Sequence, residues 1–571
     1  MRVAKLLSHR LGTRTWLTSL SLAAAGGVTC FAAFPPLDLW YLAPAACALL
    51  VAALDRMPPL RAFLPAWLFA TACYLPLFWW AQAAAGLLPW LALSVASGAM
   101  FALVGPAWAL ARRLVNEAQP RPGRTARAKP SAGRPSGPRP ARALTNSAGP
   151  ALFDRGAKGA PILAAAVFAT VVAGVDTLRS FVPFGGFGWG RLAFSQAGSP
   201  MGRWAWLAGS PWVSWSVAFA GALVFAAARA VAQRRFRLVA VIGAGLAGAV
   251  AAPILFPLTD SAEVGQLRLG VVQGNVAVTD EGLFAHQREV LDNHVAGTKQ
   301  LAGEPIDLVI WPENATDIDP QTDPEAWAAI DSAAQLVDAP ILLGSMEYTE
   351  TSHRYNLGIL WLPGQGPVAK YAKRHPAPFA EYIPGRSFFR HFTTKVDLIG
   401  TDMLAGSSVG LFDVPIKSLG RDVRVGDVIC FEVAYDSLVA QTVQGGAELI
   451  IVQTNNASFG RTSESTQQLA MSRLRAIELG RATIQASTVG VSAAISPSGQ
   501  VSHQTELFQP AVFTATVPLR TSRTPASGIV GPISWALMVV AGAGVLTGLV
   551  HGRSRQLSPP PRPPKPARQA S

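Results

Sequence analysis

Long apolar runs fill the first half of the chain and return once near its end. Runs long enough to cross a hydrocarbon core, about 17–25 residues each, lie near 15–34, 38–54, 61–83, 87–111, 160–179, 205–232, 237–256 and 529–550. They predict about eight membrane spans, the second of them short. The first run has a basic leader, as a signal peptide would, but further spans follow at once, so an uncleaved helix is expected. From 264 to 520 the pattern changes, and short apolar runs alternate with amphipathic stretches. Strands are predicted at 267–273, 307–311, 340–346, 355–362, 368–372, 425–430, 449–454, 484–487 and 491–496, the last in a hairpin. Helices are predicted at 281–301, 324–337, 435–444 and 464–481, the last with Ala470, Leu474 and Ile477 on one face. The expected fold is a polytopic α-helical membrane protein carrying an α/β domain with a mixed sheet.

Charge orients the spans. Basic residues stand at Arg2, Lys5, Arg10 and Arg14, at Arg56 and Arg61, across 112–158, at Arg234, Arg235 and Arg237, and at Arg553 and Arg555, whereas 35–37 and 84–86 carry no Lys or Arg. Alternating spans put all the basic segments on one side, which the positive-inside rule makes the cytoplasm. The expected layout in the cell (cytoplasmic or inner) membrane is a basic cytoplasmic N-terminus at 1–14 and a helical bundle at 15–256. An extracytoplasmic domain at 264–520, a last span at 529–550 and a basic, Pro-rich cytoplasmic tail at 551–571 follow. The segment 114–158 is rich in Pro, Arg, Ala and Gly without apolar period, and reads as a disordered cytoplasmic loop.

Composition then narrows the class. Only 14% of the 571 residues are charged, yet the net charge is +14 and the pI about 10.1. A basic pI would suit a nucleic-acid binder, but here much of the positive charge lies between spans and in the tail. The motif Gly243-Ala-Gly-Leu-Ala-Gly248 formally matches a dinucleotide fingerprint. Its apolar run continues to Phe256 without a charge, so it reads as a membrane helix whose small residues permit close packing. The segment 180–204 is rich in aromatics and reads either as an interfacial belt or as a wall of a lipid-accessible site.

Four cysteines are present, and Cys30, Cys47 and Cys73 sit in apolar runs as packing residues. Cys430 is alone in the polar half, ending an apolar run in Val428-Ile-Cys-Phe-Glu-Val-Ala-Tyr-Asp436. It reads as a thiol delivered by a buried strand to a turn, expected to face a lipid-accessible cleft. A free thiol has a pKa of about 8.5 and needs a base or a cation to act near neutrality. Glu313 follows a predicted strand closely, and Lys373 follows another just before a Pro-rich turn. A carboxylate could take the thiol proton and an ammonium could stabilise an oxyanion. No His or Cys spacing of metal-site type occurs, so no metal or cofactor is expected.

The motifs Trp311-Pro-Glu313, Tyr371-Ala-Lys-Arg-His-Pro-Ala-Pro-Phe-Ala-Glu381 and Ile429-Cys-Phe-Glu432 resemble the Glu, Lys and Cys motifs of the nitrilase (carbon-nitrogen hydrolase) superfamily. They look most like its membrane-bound branch, the apolipoprotein N-acyltransferases. Val272-Gln-Gly-Asn275, Thr454-Asn-Asn-Ala-Ser-Phe-Gly460, Phe34-Pro-Pro-Leu-Asp-Leu-Trp40 and Gly186-Phe-Gly-Trp-Gly-Arg191 extend the resemblance. It implies a nitrilase-like αββα sandwich with Cys430 as nucleophile, Glu313 as general base and Lys373 as oxyanion stabiliser. Glu381 and Glu432 match further acids of the family, while Phe431 and Asn455 flank the site. The implied reaction moves an acyl chain from a phospholipid donor, through a cysteine thioester, to the α-amine of a diacylglyceryl apolipoprotein. The partners implied are these two substrates and the membrane, with a monomer expected and no nucleic acid. The departures are Phe431 where the family often has Tyr, Ser458 where it usually has Trp, Ala380 for Gly, and no clear match to an early tryptophan, Phe284 being the nearest aromatic. Two other readings are a tethered amidase with water as acceptor and a non-catalytic membrane scaffold.

Overall fold

The computed structural model describes residues 13–117, 160–276, 288–391 and 393–557. Most of the expected N-terminal segment 1–14, of the loop 114–158 and of the tail 551–571, together with Phe284, lies outside these residues. Among the described residues, six helical stretches are long and apolar enough to cross a membrane: Pro59–Leu77, Leu87–Val115, Pro161–Leu178, Pro200–Ala232, Phe236–Leu255 and Pro525–Val550. Two shorter apolar helices, Trp16–Ala32 and Leu42–Leu54, stand where the first two spans were expected. Cys30, Cys47 and Cys73 are buried in this bundle. The Gly-rich motif at 243–248 is helical, as expected, but side-chain space at Gly243 and Gly248 is empty and Gly245 meets only a leucine methyl of Leu223 at 3.5 Å. These glycines therefore do not seat a neighbouring helix, and the close-packing expectation fails there.

The α/β domain holds two six-stranded sheets. The first contains β1 (Gln266–Gln273), β2 (Leu308–Ile310), β3 (Ile341–Tyr348), β4 (Arg354–Leu362) and β5 (Gly366–Ala372). The second contains β6 (Leu411–Ile416), β7 (Arg421–Ile429), β8 (Leu449–Thr454), β9 (Thr483–Ser487), β10 (Ala493–Ile495) and β11 (Val501–Gln504). The closing strand β12 (Ala511–Pro518) returns to pair antiparallel with β1. The orders are β12-β1-β2-β3-β4-β5 and β11-β10-β9-β8-β7-β6. Each sheet has three parallel strands at its centre, β1-β2-β3 and β7-β8-β9, flanked by antiparallel neighbours.

Burial explains the layers. Leu269, Val271, Ile310 and Leu360 of the first sheet meet Val414, Val425, Ile451 and Ile484 of the second in one core. The outer face of the first sheet, with Val309, Ile341 and Ile359, packs on helices Glu289–Lys299 and Pro324–Val337. The outer face of the second packs on helices Asp436–Gln444 and Glu464–Leu479. This last apolar cluster runs on without a break into Leu77, Phe78, Trp189, Met201 and Val530 of the membrane part. The domain is thus an αββα sandwich whose second helical layer is clamped between sheet and bundle.

That clamp buries charge that the helical period of 464–479 would have left in water. Arg475 pairs with Asp436 at 2.6 Å and Glu478 at 2.7 Å, and Arg191 pairs with Asp436 at 2.7 Å. Helix Trp204–Ala232 breaks at Ala208 and Gly209 to meet this cluster, and the Ser210 N–H donates to Glu478 at 3.1 Å. Gly209 has φ of +77°, and a Cβ there would lie 2.4 Å from Val530, so both conformation and space demand glycine. Arg475 also donates to the carbonyls of Val433 and Ala434, tying the turn after Cys430 to the membrane helices.

Candidate active site

The chemistry-bearing side chains gather at the ends of β2, β5, β7 and β8. Parallel strands bring their C-terminal ends to one edge, the usual place for ligand groups in α/β sheets. Glu313 follows β2, and its backbone approaches so closely that Gly344 of β3 has no room for a side chain: a Cβ would lie 2.3 Å from the Pro312 carbonyl. Lys373 follows β5 and is 1% exposed. Its ammonium donates to Glu381 at 2.7 Å and to Glu313 at 3.3 Å. Glu313 also accepts from Asn356 Nδ2 at 2.6 Å and from the Asn455 N–H at 2.7 Å. Glu381 accepts from the Ala377 N–H at 2.6 Å. The carboxylates are held by directed donors, so their oxygens are fixed before any substrate arrives.

Cys430 begins the turn after β7, with φ of +56°, a conformation a non-glycine residue adopts only when its surroundings enforce it. It is 5% exposed and belongs to the intersheet core, so the expected open thiol is instead enclosed. Burial first, and the Glu313 carboxylate next, push this thiol well above its ordinary value, while Lys373 and the Thr454 hydroxyl pull it down. For Lys373, burial opposes the charge, but Glu313, Glu381 and Cys430 outweigh it and hold the ammonium well above its usual range. The resting pair is therefore a neutral thiol beside a firmly charged lysine.

Glu432 lies under this turn, fully buried. It accepts from the Tyr371 hydroxyl at 2.9 and 3.0 Å, from the N–H groups of Arg374 and His375 at 2.7 and 3.0 Å, and from the Ile429 N–H at 2.8 Å. Burial raises its pKa and these donors oppose that rise. One carboxylate thus staples the loop carrying Lys373 to the turn carrying Cys430. Glu432→Gln puts an amide NH₂ against one set of these donors. It is expected to cost about 1–3 kcal/mol, read as a lower unfolding midpoint in denaturant, with a partial loss of acyl transfer.

Phe431 points into an aromatic cluster, with ring centroids 4.6 Å from Trp189, 5.8 Å from Trp80, 6.1 Å from Phe459 and 6.4 Å from Phe187. Trp189 is buried and donates its indole N–H to Gln467 at 2.7 Å. The aromatic segment at 180–204 therefore forms a wall beside the site at Trp189 and Phe187. Ser458 is exposed, while its neighbour Phe459 meets Trp80 at 5.2 Å.

Two family models match the chain: the carbon-nitrogen hydrolase over 268–525 and the apolipoprotein N-acyltransferase N-terminal domain over 26–131 and 141–223. An apolipoprotein N-acyltransferase of Mycolicibacterium smegmatis is 32% identical over 557 residues, covering 92% of this chain and 84% of that protein. The chain belongs to the apolipoprotein N-acyltransferase family. The enzyme class that comes with membership is an N-acyltransferase in the nitrilase superfamily. Another such protein, from Azotobacter vinelandii, is 27% identical over 569 residues, 95% of this chain and 96% of its own. Among solved structures, an amidase of Nesterenkonia AN1 from the nitrilase superfamily is 14% identical with a TM-score of 0.35, covering 48% of this chain and 96% of its own.

Seen as a member of this N-acyltransferase family, the chain brings Lys373 into direct contact with Glu313 and Glu381 and places Cys430 within electrostatic reach of Glu313 and Lys373. Asn455 contributes its backbone N–H, while its side chain turns back to the Ala457 N–H at 3.1 Å. Residues outside the motif readings also serve the site. Asn356 orients Glu313, and its polar side chain in the otherwise apolar stretch of β4 was the available signal. Tyr371 lay inside a quoted motif, but its bond to Glu432 joins β5 of one sheet to the turn that follows β7 of the other. Glu464 is fully buried, with one oxygen bonded to Asn456 and the other unpartnered; burial, then Glu313, raise it to about 8 against the Asn456 bond.

Proposed function

We propose that this enzyme transfers a fatty acyl chain from a membrane phospholipid to the α-amine of the S-diacylglyceryl cysteine of apolipoproteins, through a thioester on Cys430. The observation that carries the reading is the Glu313–Lys373–Glu381 set beside a lone buried cysteine, in a domain packed against membrane helices. Glu313 takes the thiol proton as sulfur attacks the ester carbonyl. Lys373 neutralises the oxyanion. Collapse breaks the ester C–O bond, and Glu313 returns the proton to the leaving lysophospholipid. The neutral α-amine then attacks the thioester carbonyl, Glu313 accepts its proton, and as the C–S bond breaks Glu313 passes that proton to the sulfur, which leaves as the thiol. A base is needed because burial and Glu313 itself hold the thiol protonated.

Both substrates are lipids, which accounts for the seating of the site's helical layer on the bundle. In the proposed orientation both termini are cytoplasmic and the α/β domain is extracytoplasmic, as the distribution of Lys and Arg favours. The test is incubation with phospholipid labelled in its acyl chain and a diacylated lipopeptide. N-acylated peptide is expected, together with a labelled adduct on Cys430. Free fatty acid without acylated peptide would sink the transferase reading.

A further inference from the structure

Three buried acceptor oxygens meet between the two sheets without a donor. Asp427 of β7 and Gln453 of β8 are fully buried. Asp427 is level with Ile451 of the neighbouring parallel strand, and Gln453 stands two residues further along the same face. Both reach Gly358 of β4 in the opposite sheet: a Cβ there would overlap Asp427 Oδ2 and lie 3.1 Å from Gln453 Oε1. Asp427 Oδ1 and Oδ2 and Gln453 Oε1 have no hydrogen-bond partner among the described residues. Gln453 Nε2 donates to the Trp311 carbonyl at 2.7 Å. Turning the carboxamide round would set its oxygen against that carbonyl, so Oε1 must face Asp427 and Gly358.

Facing acceptors repel in a low-dielectric core, whereas a proton on Asp427 makes the same contact a hydrogen bond. The surrounding charges favour that proton. Burial first, then the Glu432 and Glu313 carboxylates, raise the Asp427 carboxyl well above its usual range, and the Val428 N–H opposes them. Tyr371 is a further titratable neighbour, and its hydroxyl is committed to Glu432. The residues around this pair all hold Glu313. Gln453 fixes the carbonyl two residues before it. Asn455, two residues beyond Gln453, donates its N–H to Glu313 at 2.7 Å. Asn356, two residues before Gly358 on β4, donates Nδ2 to it at 2.6 Å.

We infer that Asp427 is a positioning residue for Glu313: it carries a proton, donates it to Gln453 Oε1, and so locks the carboxamide that holds the Trp311 carbonyl. The positioning step rests on the proposed role of Glu313, and the proton on Asp427 does not.

Infrared difference spectroscopy of the full chain in detergent, wild type against Asp427→Asn, reads the proton directly. The carbonyl stretch of an un-ionised carboxylic acid is expected in the wild type at neutral pH and should disappear from the variant; other buried acids cancel in the difference. Asparagine supplies an N–H in place of the O–H, so the unfolding midpoint should rise at neutral pH. The sign follows from linkage. Asp427 is raised in the folded state, so its contribution is fully present below the unfolded value of about 3.9 and is lost as pH rises toward the folded value. Asparagine does not titrate, so the variant's gain in midpoint should grow between about pH 5 and 8. Asp427→Leu removes the donor, and its single-turnover acylation of Cys430 should slow about 10–10², while Asp427→Asn stays within about twofold of wild type. The infrared and melting readouts need no acyl transfer, so their failure is distinct from failure of the proposed reaction. A carboxylic-acid band that survives Asp427→Asn, a midpoint lowered by that substitution at neutral pH, or an Asp427→Leu enzyme acylated at the wild-type rate would each overturn the inference.

Discussion

Glu313→Gln is expected to abolish acyl-enzyme formation while making Cys430 more reactive toward a small alkylating reagent. The two effects have one cause. The Glu313 carboxylate is, after burial, the largest influence holding the thiol protonated. Removing its charge lowers the thiol pKa, so more thiolate is present at neutral pH. In the proposed mechanism the same change removes the base that takes the proton during attack on an ester, worth about 10²–10⁴ in rate. Glutamine has the same shape, and its carbonyl can keep one of the bonds from Asn356 Nδ2 and the Asn455 N–H. Single-turnover acylation with labelled phospholipid and the pH dependence of iodoacetamide alkylation read the two effects separately. Acylation at the wild-type rate, or alkylation that slows, would remove Glu313 from the base role.

The reach of the sequence followed the physical range of each signal. Helix Pro324–Val337 and strand β8 fall where period and breakers place them, because local pattern and tertiary environment agree there. Strands β6 and β12 escaped the pattern. β12 is mostly half-buried at a sheet edge and pairs with β1, which lies far away in sequence. Helix Glu464–Leu479 was legible as a helix, but its charged face gave no hint of burial. Arg475 and Glu478 point at the membrane bundle, and the amphipathic period cannot tell water from another protein layer.

The site divides in the same way. Glu313, Lys373 and Cys430 stand at strand ends, where short motifs register them. Their supports are legible only in three dimensions: Asn356 on Glu313, and Glu432 joining Ile429 to Arg374 and His375. The expectation of an exposed thiol missed because a left-handed residue at the end of a central strand turns Cys430 into the intersheet core. That burial matters for reactivity. It makes thiolate scarce at rest and places the burden of activation on the neighbouring charges.

Lys373→Met should match Glu313→Gln in losing acyl transfer and oppose it in alkylation. Lys373 pulls the Cys430 thiol down, so its loss lets burial and Glu313 push the thiol higher, and alkylation slows. In the proposed mechanism the oxyanion loses its cation, a loss of about 10²–10³ in rate for one stabilising donor. Stability falls as well. Glu313 and Glu381 would remain in a largely buried site with no cation between them, at a cost of about 3–5 kcal/mol. The pH dependence has a definite sign. The folded-state pKa of Lys373 is raised, so its contribution is fully present below the unfolded value of about 10.4 and is lost only as pH rises through the higher folded value. The stability gap between wild type and variant should be level through neutrality as far as this group is concerned, and narrow only in strong alkali. Denaturant melts across pH, set beside alkylation rates for both variants, test the whole arrangement. If both substitutions moved alkylation in the same direction, the assignment of opposed charges around Cys430 would fail.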